Sequence, residues 1–262
     1  MNFIWILGSI SKIATDSRFN LAISCGYDKA INIWSFPESR GPKSAPIGGP
    51  SMTLKGHENP VLDFYYNNST LCSGARDGTI FLWDLESGSL LKRNRGHTGP
   101  VSVIDSLKDD TVSMFISGGA DGTIKLWDPR EKTACVLSSN IHGSASITGI
   151  AQLPIRGQGN GCYVVTSSAD NTIALLDPRR NFEIMERYEN AKNSIYSICS
   201  VGDGCIFIGD GTGMMYCYDM VGCLDDPGLK YAIGASERGA VRCLIPSGPF
   251  SKRFFIYLLI CI

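Results

Sequence analysis

Apolar and polar residues alternate with period two in short runs along nearly the whole chain. Ile80 and Leu82 alternate with Phe81 and Trp83, and Ile124 and Leu126 with Lys125 and Trp127. This spacing places successive side chains on opposite faces of a β-strand. Just ahead of these runs stand Asp77–Gly78 and Asp121–Gly122, each with apolar residues on both sides, which predicts a tight hairpin turn. Asp170–Asn171 is a weaker form of the same signal. Another strand pattern precedes each hairpin, at PVLDFYY (60–66), PVSVIDS (100–106), SIYSICS (194–200) and AVRCLIP (240–246). A short one follows, as in SLLKR (89–93) or FEIMER (182–187), giving about four strands per unit.

The unit recurs. SCGYDKAINIWS (24–35), SGARDGTIFLWD (73–84), SGGADGTIKLWD (117–128), TSSADNTIALLD (166–177) and IGDGTGMMYCYD (208–219) align as five copies. Their Trp-equivalent positions are 34, 83, 127, 176 and 218, so the spacings are 49, 44, 49 and 42 residues. Self-similarity at such a period marks a repeat architecture.

Trp83–Asp84 and Trp127–Asp128, with Gly56–His57 and Gly96–His97 upstream, make the chain resemble the WD40 family of β-propellers. The resemblance runs from about residue 7 to 262 and implies an all-β fold of at least five four-stranded blades. The blades are expected at 1–54, 55–93, 94–138, 139–188 and 189–235, with an incomplete one at 236–262, all in a single propeller domain. A ring of seven such blades needs roughly 300 residues, so the expectation is a truncated seven-bladed ring, with an unusual five- or six-bladed closed ring as the alternative.

The resemblance also implies two buried hydrogen-bonded tetrads, His57–Ser73–Asp77–Trp83 and His97–Ser117–Asp121–Trp127. A buried indole N–H needs an acceptor, and linked Ser, His and Asp groups satisfy one another. A Ser/His/Asp set can also signal a hydrolase. Recurrence of the set in register with a Trp favours the structural reading. The other copies depart from the pattern. The first keeps Ser24, Asp28 and Trp34 without an upstream His. The fourth has Leu176 in place of Trp, with His142 before Gly143 instead of after it. The fifth has Thr212 at the Asp position and Tyr218 at the Trp position.

Lys and Arg number 24 against 25 Asp and Glu, with no basic stripe, so direct nucleic-acid binding is not expected. The ten Cys form no C-x-x-C pair and read as reduced thiols of a cytoplasmic or nuclear protein. MNFIWILGSI lacks a positive leading segment and reads as an opening strand, not a signal peptide. FFIYLLICI is too short to span a bilayer, which takes ~20 residues, and reads as a strand whose continuation is missing. PESRGPKSAPIGGP (37–50) and IRGQGNG (155–161) read as surface loops. No phosphate-loop, zinc-ligand or nucleophile-elbow pattern occurs, so no catalytic residue, metal or cofactor is expected.

Two copies end in Asp-Pro-Arg. Pro129 and Pro178 have no N–H to continue a ladder, which pushes Arg130 and Arg179 into the turn before the fourth strand. There each Arg is exposed or paired with the preceding Asp. FISGGADGTIKLWDPR (115–130) closely resembles the box ending in Trp-Asp-x-Arg in substrate receptors of cullin-4 ubiquitin ligases, and VVTSSADNTIALLDPR (164–179) matches it except at Leu176. In those receptors the terminal Arg helps to dock the propeller on the ligase adaptor, which makes Arg130 and Arg179 candidate partner-binding residues. The expected function is a non-enzymatic scaffold for protein–protein interactions. The alternatives are a cullin-4 substrate receptor and a chromatin- or RNA-associated propeller subunit.

Overall fold

A computed structural model describes residues 8–16, 20–36, 49–67, 69–108, 113–131, 135–154, 162–189, 191–201, 204–220, 229–235, 239–246 and 256–260. Most of the 37–50 loop, the 155–161 loop, the first seven residues and much of the terminal apolar run lie outside them. Among the described residues the secondary structure is antiparallel β, with one short 3-10 turn. The first sheet holds β1 (Ile10–Asp16), β2 (Leu21–Gly26), β3 (Ala30–Ser35) and β4 (Met52–Lys55). The second holds β5 (Val61–Tyr66), β6 (Thr70–Ala75), β7 (Thr79–Asp84) and β8 (Leu90–Arg95). The third is β9 (Val101–Lys108), β10 (Ser113–Gly119), β11 (Thr123–Trp127) and β12 (Cys135–Asn140). The fourth is β13 (Ile147–Pro154), β14 (Cys162–Ser168), β15 (Ile173–Asp177) and β16 (Glu183–Tyr188). The fifth is β17 (Ile195–Val201), β18 (Cys205–Asp210), β19 (Met214–Asp219) and β20 (Leu229–Gly234). A pair of strands, β21 (Val241–Pro246) and β22 (Ile256–Ile260), follows.

Strand order follows sequence order in every sheet, each strand pairing antiparallel with its neighbour in sequence. The turn joining the second and third strands of each sheet shows how local chemistry sets register. Gly78 N donates to Ala75 O at 3.1 Å, so Arg76 and Asp77 are the central pair and Gly78 follows with φ +81°. This is a three-residue loop closing in a left-handed residue, a role glycine fills without steric cost. A Cβ on Gly78 would also stand 2.2 Å from the carbonyl oxygen of His97. Gly122 repeats the geometry at φ +72°, and Asn171 and Lys29 hold the place at +72° and +62°. Asn tolerates that region through its short polar side chain, whereas Lys29 is a strained choice.

The chain forms two compact units, Met1–Ile104 and Asp105–Ile262. In the first, Ile23, Ile31, Ile33, Leu54, Val61, Phe64, Leu71, Phe81 and Trp83 belong to one apolar core. In the second, Val165, Ile173 and Leu175 of the fourth sheet pack with Ile206, Ile208, Tyr216 and Tyr218 of the fifth. Small residues let adjacent sheets approach. A Cβ on Gly74 would meet Val101 at 2.4 Å, one on Gly149 would meet Ile198 at 2.5 Å, and one on Gly209 would meet Val241 at 2.4 Å.

Asp63, which no sequence pattern singles out, ties β1 and the Val101–Ile104 segment to β5 within the first unit. Its carboxylate pairs with Lys12 of β1 at 2.5 Å and accepts the amides of Phe64 at 2.8 Å and Ile104 at 2.7 Å. Burial pushes its carboxyl upward from the ordinary carboxylate range, an effect opposed by Lys12 and these amides. Asp63→Ala strands a cation and two amide donors. It is expected to cost about 3 kcal/mol in urea denaturation of the whole chain. A cost below about 0.5 kcal/mol would show that the tie carries no stability.

Candidate functional site

The candidate residues of the second sheet form a directed chain of hydrogen bonds. Trp83 Nε1–H donates to Ser73 Oγ at 2.8 Å, and Ser73 Oγ lies 2.8 Å from His57 Nε2. His57 Nδ1 lies 3.4 Å from Thr79 Oγ1, and the Thr79 hydroxyl donates to Asp77 Oδ1 at 2.6 Å. Because Thr79 gives its proton to the carboxylate, it accepts from Nδ1–H. Nε2 is then the acceptor for the Ser73 hydroxyl, and Ser73 in turn accepts from the indole. The donors therefore run one way from Trp83 to Asp77, with the imidazole neutral. Asp77 reaches His57 through Thr79, a residue absent from the sequence-derived tetrad. The recurring Asp-Gly-Thr of 77–79 and 121–123 is the signal that could have found it.

Burial drives the His57 pKa down to about 4, against a smaller upward effect from Asp77. The Asp77 carboxyl feels burial in the opposite direction, yet the Thr79 hydroxyl and amide and the Asn59 side chain hold it below its ordinary range. His57 also stacks on Phe81 with ring centroids 4.0 Å apart. Nothing here resembles an exposed nucleophile: Ser73 is fully buried and serves as both acceptor and donor inside the sheet.

In the third sheet, Trp127 Nε1–H donates to Ser117 Oγ at 2.8 Å. Asp121 Oδ1 accepts the Thr123 amide at 3.1 Å and the Thr123 hydroxyl at 2.7 Å. His97, buried at 2 % exposure, belongs to the other compact unit.

The divergent copies replace missing members in physically distinct ways. In the fourth sheet, His142 makes the full set of bonds despite its inverted order with Gly143. Its Nε2 lies 2.9 Å from Thr166 Oγ1 and its Nδ1 lies 2.9 Å from Thr172 Oγ1, while Thr172 donates to Asp170 at 2.6 Å. Only the indole is missing. Leu176 fills its place and asks for no acceptor. In the first sheet, Trp34 Nε1–H donates to Ser24 at 3.0 Å, and Asn32 Nδ2 donates to Asp28 at 3.4 Å.

In the fifth sheet, Asp210 supplies the carboxylate from two residues upstream of Thr212. Its Oδ1 accepts the amides of Thr212 and Met214, each at 2.9 Å, and the Thr212 hydroxyl at 2.7 Å. Its Oδ2 accepts Tyr216 Oη–H at 3.1 Å. Tyr218, at the Trp position, pairs with Ile206, and Ile208 stands where the other sheets have Ser or Thr. The buried Tyr218 hydroxyl has no hydrogen-bond partner among the described residues.

The Asp-Pro-Arg turns are alike. Arg130 donates from N to Asp128 Oδ1 at 2.9 Å, from Nε to Oδ1 at 3.1 Å and from Nη2 to Oδ2 at 2.9 Å. Arg179 makes the same three bonds to Asp177 at 3.0, 2.9 and 2.9 Å. The acids are buried while the Arg130 and Arg179 side chains remain 65 % and 47 % exposed. Pro178–Arg180 forms the short 3-10 turn, capped by Asp177, and the Arg179 guanidinium lies 5.8 Å from the Tyr163 ring centroid. Among the described residues no group of His, Cys, Asp and Glu is arranged to hold a metal ion.

The folded-state pKa of His57 lies below its ordinary 6.5. The stability it confers is therefore complete above pH 6.5 and is lost as pH falls toward 4, by about 1.4 kcal/mol per pH unit. His142 is lowered in the same direction by burial, against Asp170. Denaturation midpoints measured between pH 7 and pH 4 should fall across this window, and His57→Gln should flatten the fall. In the fifth sheet, Asp210→Ala is expected to cost roughly 2 kcal/mol, because it strands the buried Tyr216 hydroxyl and three part-buried donors of Thr212 and Met214. Tyr218→Phe is expected to be neutral or to gain up to about 1 kcal/mol, since it removes a hydroxyl without a partner. Equal urea midpoints for these two variants would contradict both assignments.

The family description "WD domain, G-beta repeat" matches residues 48–84 and 88–128. Nuclear distribution protein PAC1 of Candida glabrata is 32% identical over 37% of this chain and 23% of its own length. WD repeat-containing protein 1-A of Xenopus laevis is 28% identical over 66% and 27%. F-box/WD repeat-containing protein 9 of Homo sapiens is 22% identical over 93% and 54%. The chain thus spans about half or less of the length of these relatives. Among solved structures, the WD40 β-propeller domain of Doa1 superposes with a TM-score of 0.70 at 20% identity, over 90% of this chain and 72% of that one. The computationally designed Ika8 protein superposes with 0.69 at 22% identity, over 92% and 66%.

Proposed function

We propose that this chain, a member of the WD40-repeat β-propeller family, is a non-enzymatic scaffold for protein–protein interactions, and that its Asp-Pro-Arg turns form one of its docking points. The observation that carries the reading is the repeated clamp at Asp128–Arg130 and Asp177–Arg179, with the same three hydrogen bonds in consecutive sheets of one compact unit. Each guanidinium is oriented by a buried carboxylate before any partner arrives, and each side chain remains exposed to solvent. A planar Arg fork suits carboxylates and carbonyls on a partner, and fixing it beforehand lowers the ordering cost of binding. The buried Ser/His/Asp sets act as structural relays, which supports a binding role over a catalytic one. The seven cysteines whose side chains are described are all free, in keeping with a reducing compartment such as the cytoplasm or nucleus.

The finer reading is a substrate receptor of a cullin-4 type ubiquitin ligase, with Arg130 and Arg179 meeting the ligase adaptor. Because Asp128 and Asp177 are buried, removing the arginines outright would leave unpaired carboxylates, so the cleaner variants keep the charge. The double variant Arg130→Lys with Arg179→Lys should fold with an unchanged circular dichroism spectrum and lose co-purification of the adaptor, because lysine cannot reproduce the planar fork. Failure of the unmutated chain to retain the adaptor would reject the ligase reading while leaving the broader scaffold reading in place.

A further inference from the structure

The two Asp-Pro-Arg clamps share their hydrogen bonds but not their surroundings. In the fourth sheet, Val164 of β14 pairs with Leu176 of β15, which sets Tyr163 beside Asp177. The Arg179 guanidinium carbon stands 5.8 Å from the centre of the Tyr163 ring. The Arg179 pKa is raised chiefly by the hydrogen bond to Asp177, against desolvation, with further upward effects from the Asp177 charge and from Tyr163. In the third sheet, Phe115 of β10 pairs with Trp127 of β11, which sets Met114 beside Asp128. Methionine offers no ring to a guanidinium, and no aromatic ring among the described residues contacts Arg130. Arg130 is accordingly 65 % exposed and Arg179 47 %.

The backbone of the fourth-sheet turn is held as well. Asn181 and Phe182 both lie in the left-handed region, at φ +56° and +58°. Asparagine tolerates that region, but a bulky residue stays there only where its surroundings enforce it. Phe182 is 1 % exposed, so a buried ring holds the backbone in this conformation. Glu183 follows and pairs with Asp177, closing the turn. The third-sheet turn has the same length, from the Trp127–Cys135 pair against the Leu176–Ile184 pair. Lys132 and Thr133 occupy the places of Asn181 and Phe182 in its sequence, so it has no ring to serve as an anchor.

We propose that Tyr163 is a positioning residue for Arg179, which makes the fourth-sheet turn the better-ordered docking point of the two. The inference rests on the docking role given to the clamps above, and it separates two arginines that the repeated sequence treats as equals. Asp177 fixes one edge of the guanidinium through Nε and Nη2. The ring restrains its plane. A partner's carboxylate or carbonyl then meets donors of Arg179 whose direction is already set, whereas Arg130 has a larger part of its freedom still to lose. Binding energy concentrates on arginines held in packed surroundings of this kind.

Phenylglyoxal labelling of the whole 262-residue chain, read by peptide mass spectrometry, compares the two arginines within one molecule. Both are paired with an acid in the same way, so Arg130 is the internal reference. Arg179 should react at least threefold more slowly than Arg130 in the unmutated chain. Tyr163→Leu should bring Arg179 to the rate of Arg130, leave Arg130 unchanged and keep the parent circular dichroism spectrum. Tyr163→Phe retains the ring and should keep Arg179 the slower of the two. Binding of the cullin-4 adaptor should weaken at least tenfold in Arg179→Lys and less than threefold in Arg130→Lys. Equal labelling rates in the unmutated chain overturn the proposal. So does a Tyr163→Leu variant that changes both rates or neither, and so do equal losses of adaptor binding in the two lysine variants. The labelling needs no partner. A chain that shows the rate difference but fails to bind the adaptor therefore rejects the ligase reading and upholds the positioning of Arg179.

Discussion

A buried indole N–H must find an acceptor, and in this chain the acceptor's own hydroxyl proton must then go somewhere. The direction of the hydrogen bonds in the second sheet follows from that requirement. Ser73 accepts from Trp83 and so donates to His57 Nε2, which leaves the imidazole proton on Nδ1 and turns it toward Thr79. Protonating His57 would aim a second donor at Ser73 and break the sequence of roles. The low pKa is therefore the electrostatic form of a geometric rule. The turn is bound by the same rule. Asp77 receives the Thr79 hydroxyl because the chain reverses in a left-handed residue at Gly78, where a side chain would strike the His97 carbonyl.

Each divergent copy obeys the rule by removing a demand or by moving a donor or acceptor. Leu176 removes the indole, so His142 needs only its two threonines. Asp210 moves the carboxylate up the strand and serves the amide of Met214, the position of Thr79 in the second sheet. At Tyr218 the replacement is incomplete, because its buried hydroxyl has no partner among the described residues and Ile208 stands where the other copies have a hydroxyl. Residues that look degraded by pattern matching are compensated in space.

The strands and repeats were legible in the sequence because they rest on period-two alternation and on Asp-Gly turns, which are local signals. The members of each relay were legible where they fall at fixed offsets, as Ser73, Asp77 and Trp83 do. Thr79 was visible but unread, since Asp-Gly-Thr passes for turn chemistry alone. Asp63 was not legible at all. Its partners Lys12 and Ile104 come from sheets on either side, and nothing in PVLDFYY marks its carboxylate as buried. Asp210 escaped for a different reason, because alignment by position assigns a role to Thr212 while the geometry of the strand end assigns it to a neighbour. The repeated Asp-Pro-Arg turns were legible, and pairing of each Arg with the preceding Asp was one of the readings open for them, but the burial of the two acids was not.

The glycines at 74, 149 and 209 have a bearing on how the chain comes into being. Gly74 and Gly209 leave notches in the second strands of their sheets and Gly149 one in the first strand of its sheet, filled by Val101, Val241 and Ile198 from the first strand of the sheet that follows. A notch takes shape once its own sheet has formed, and the side chain that fills it is made soon afterwards during synthesis. Each of these three sheets therefore offers its successor a shaped template at the moment the new strand emerges. Assembly can proceed from the amino end by short steps between neighbours in sequence, without waiting for distant parts of the chain.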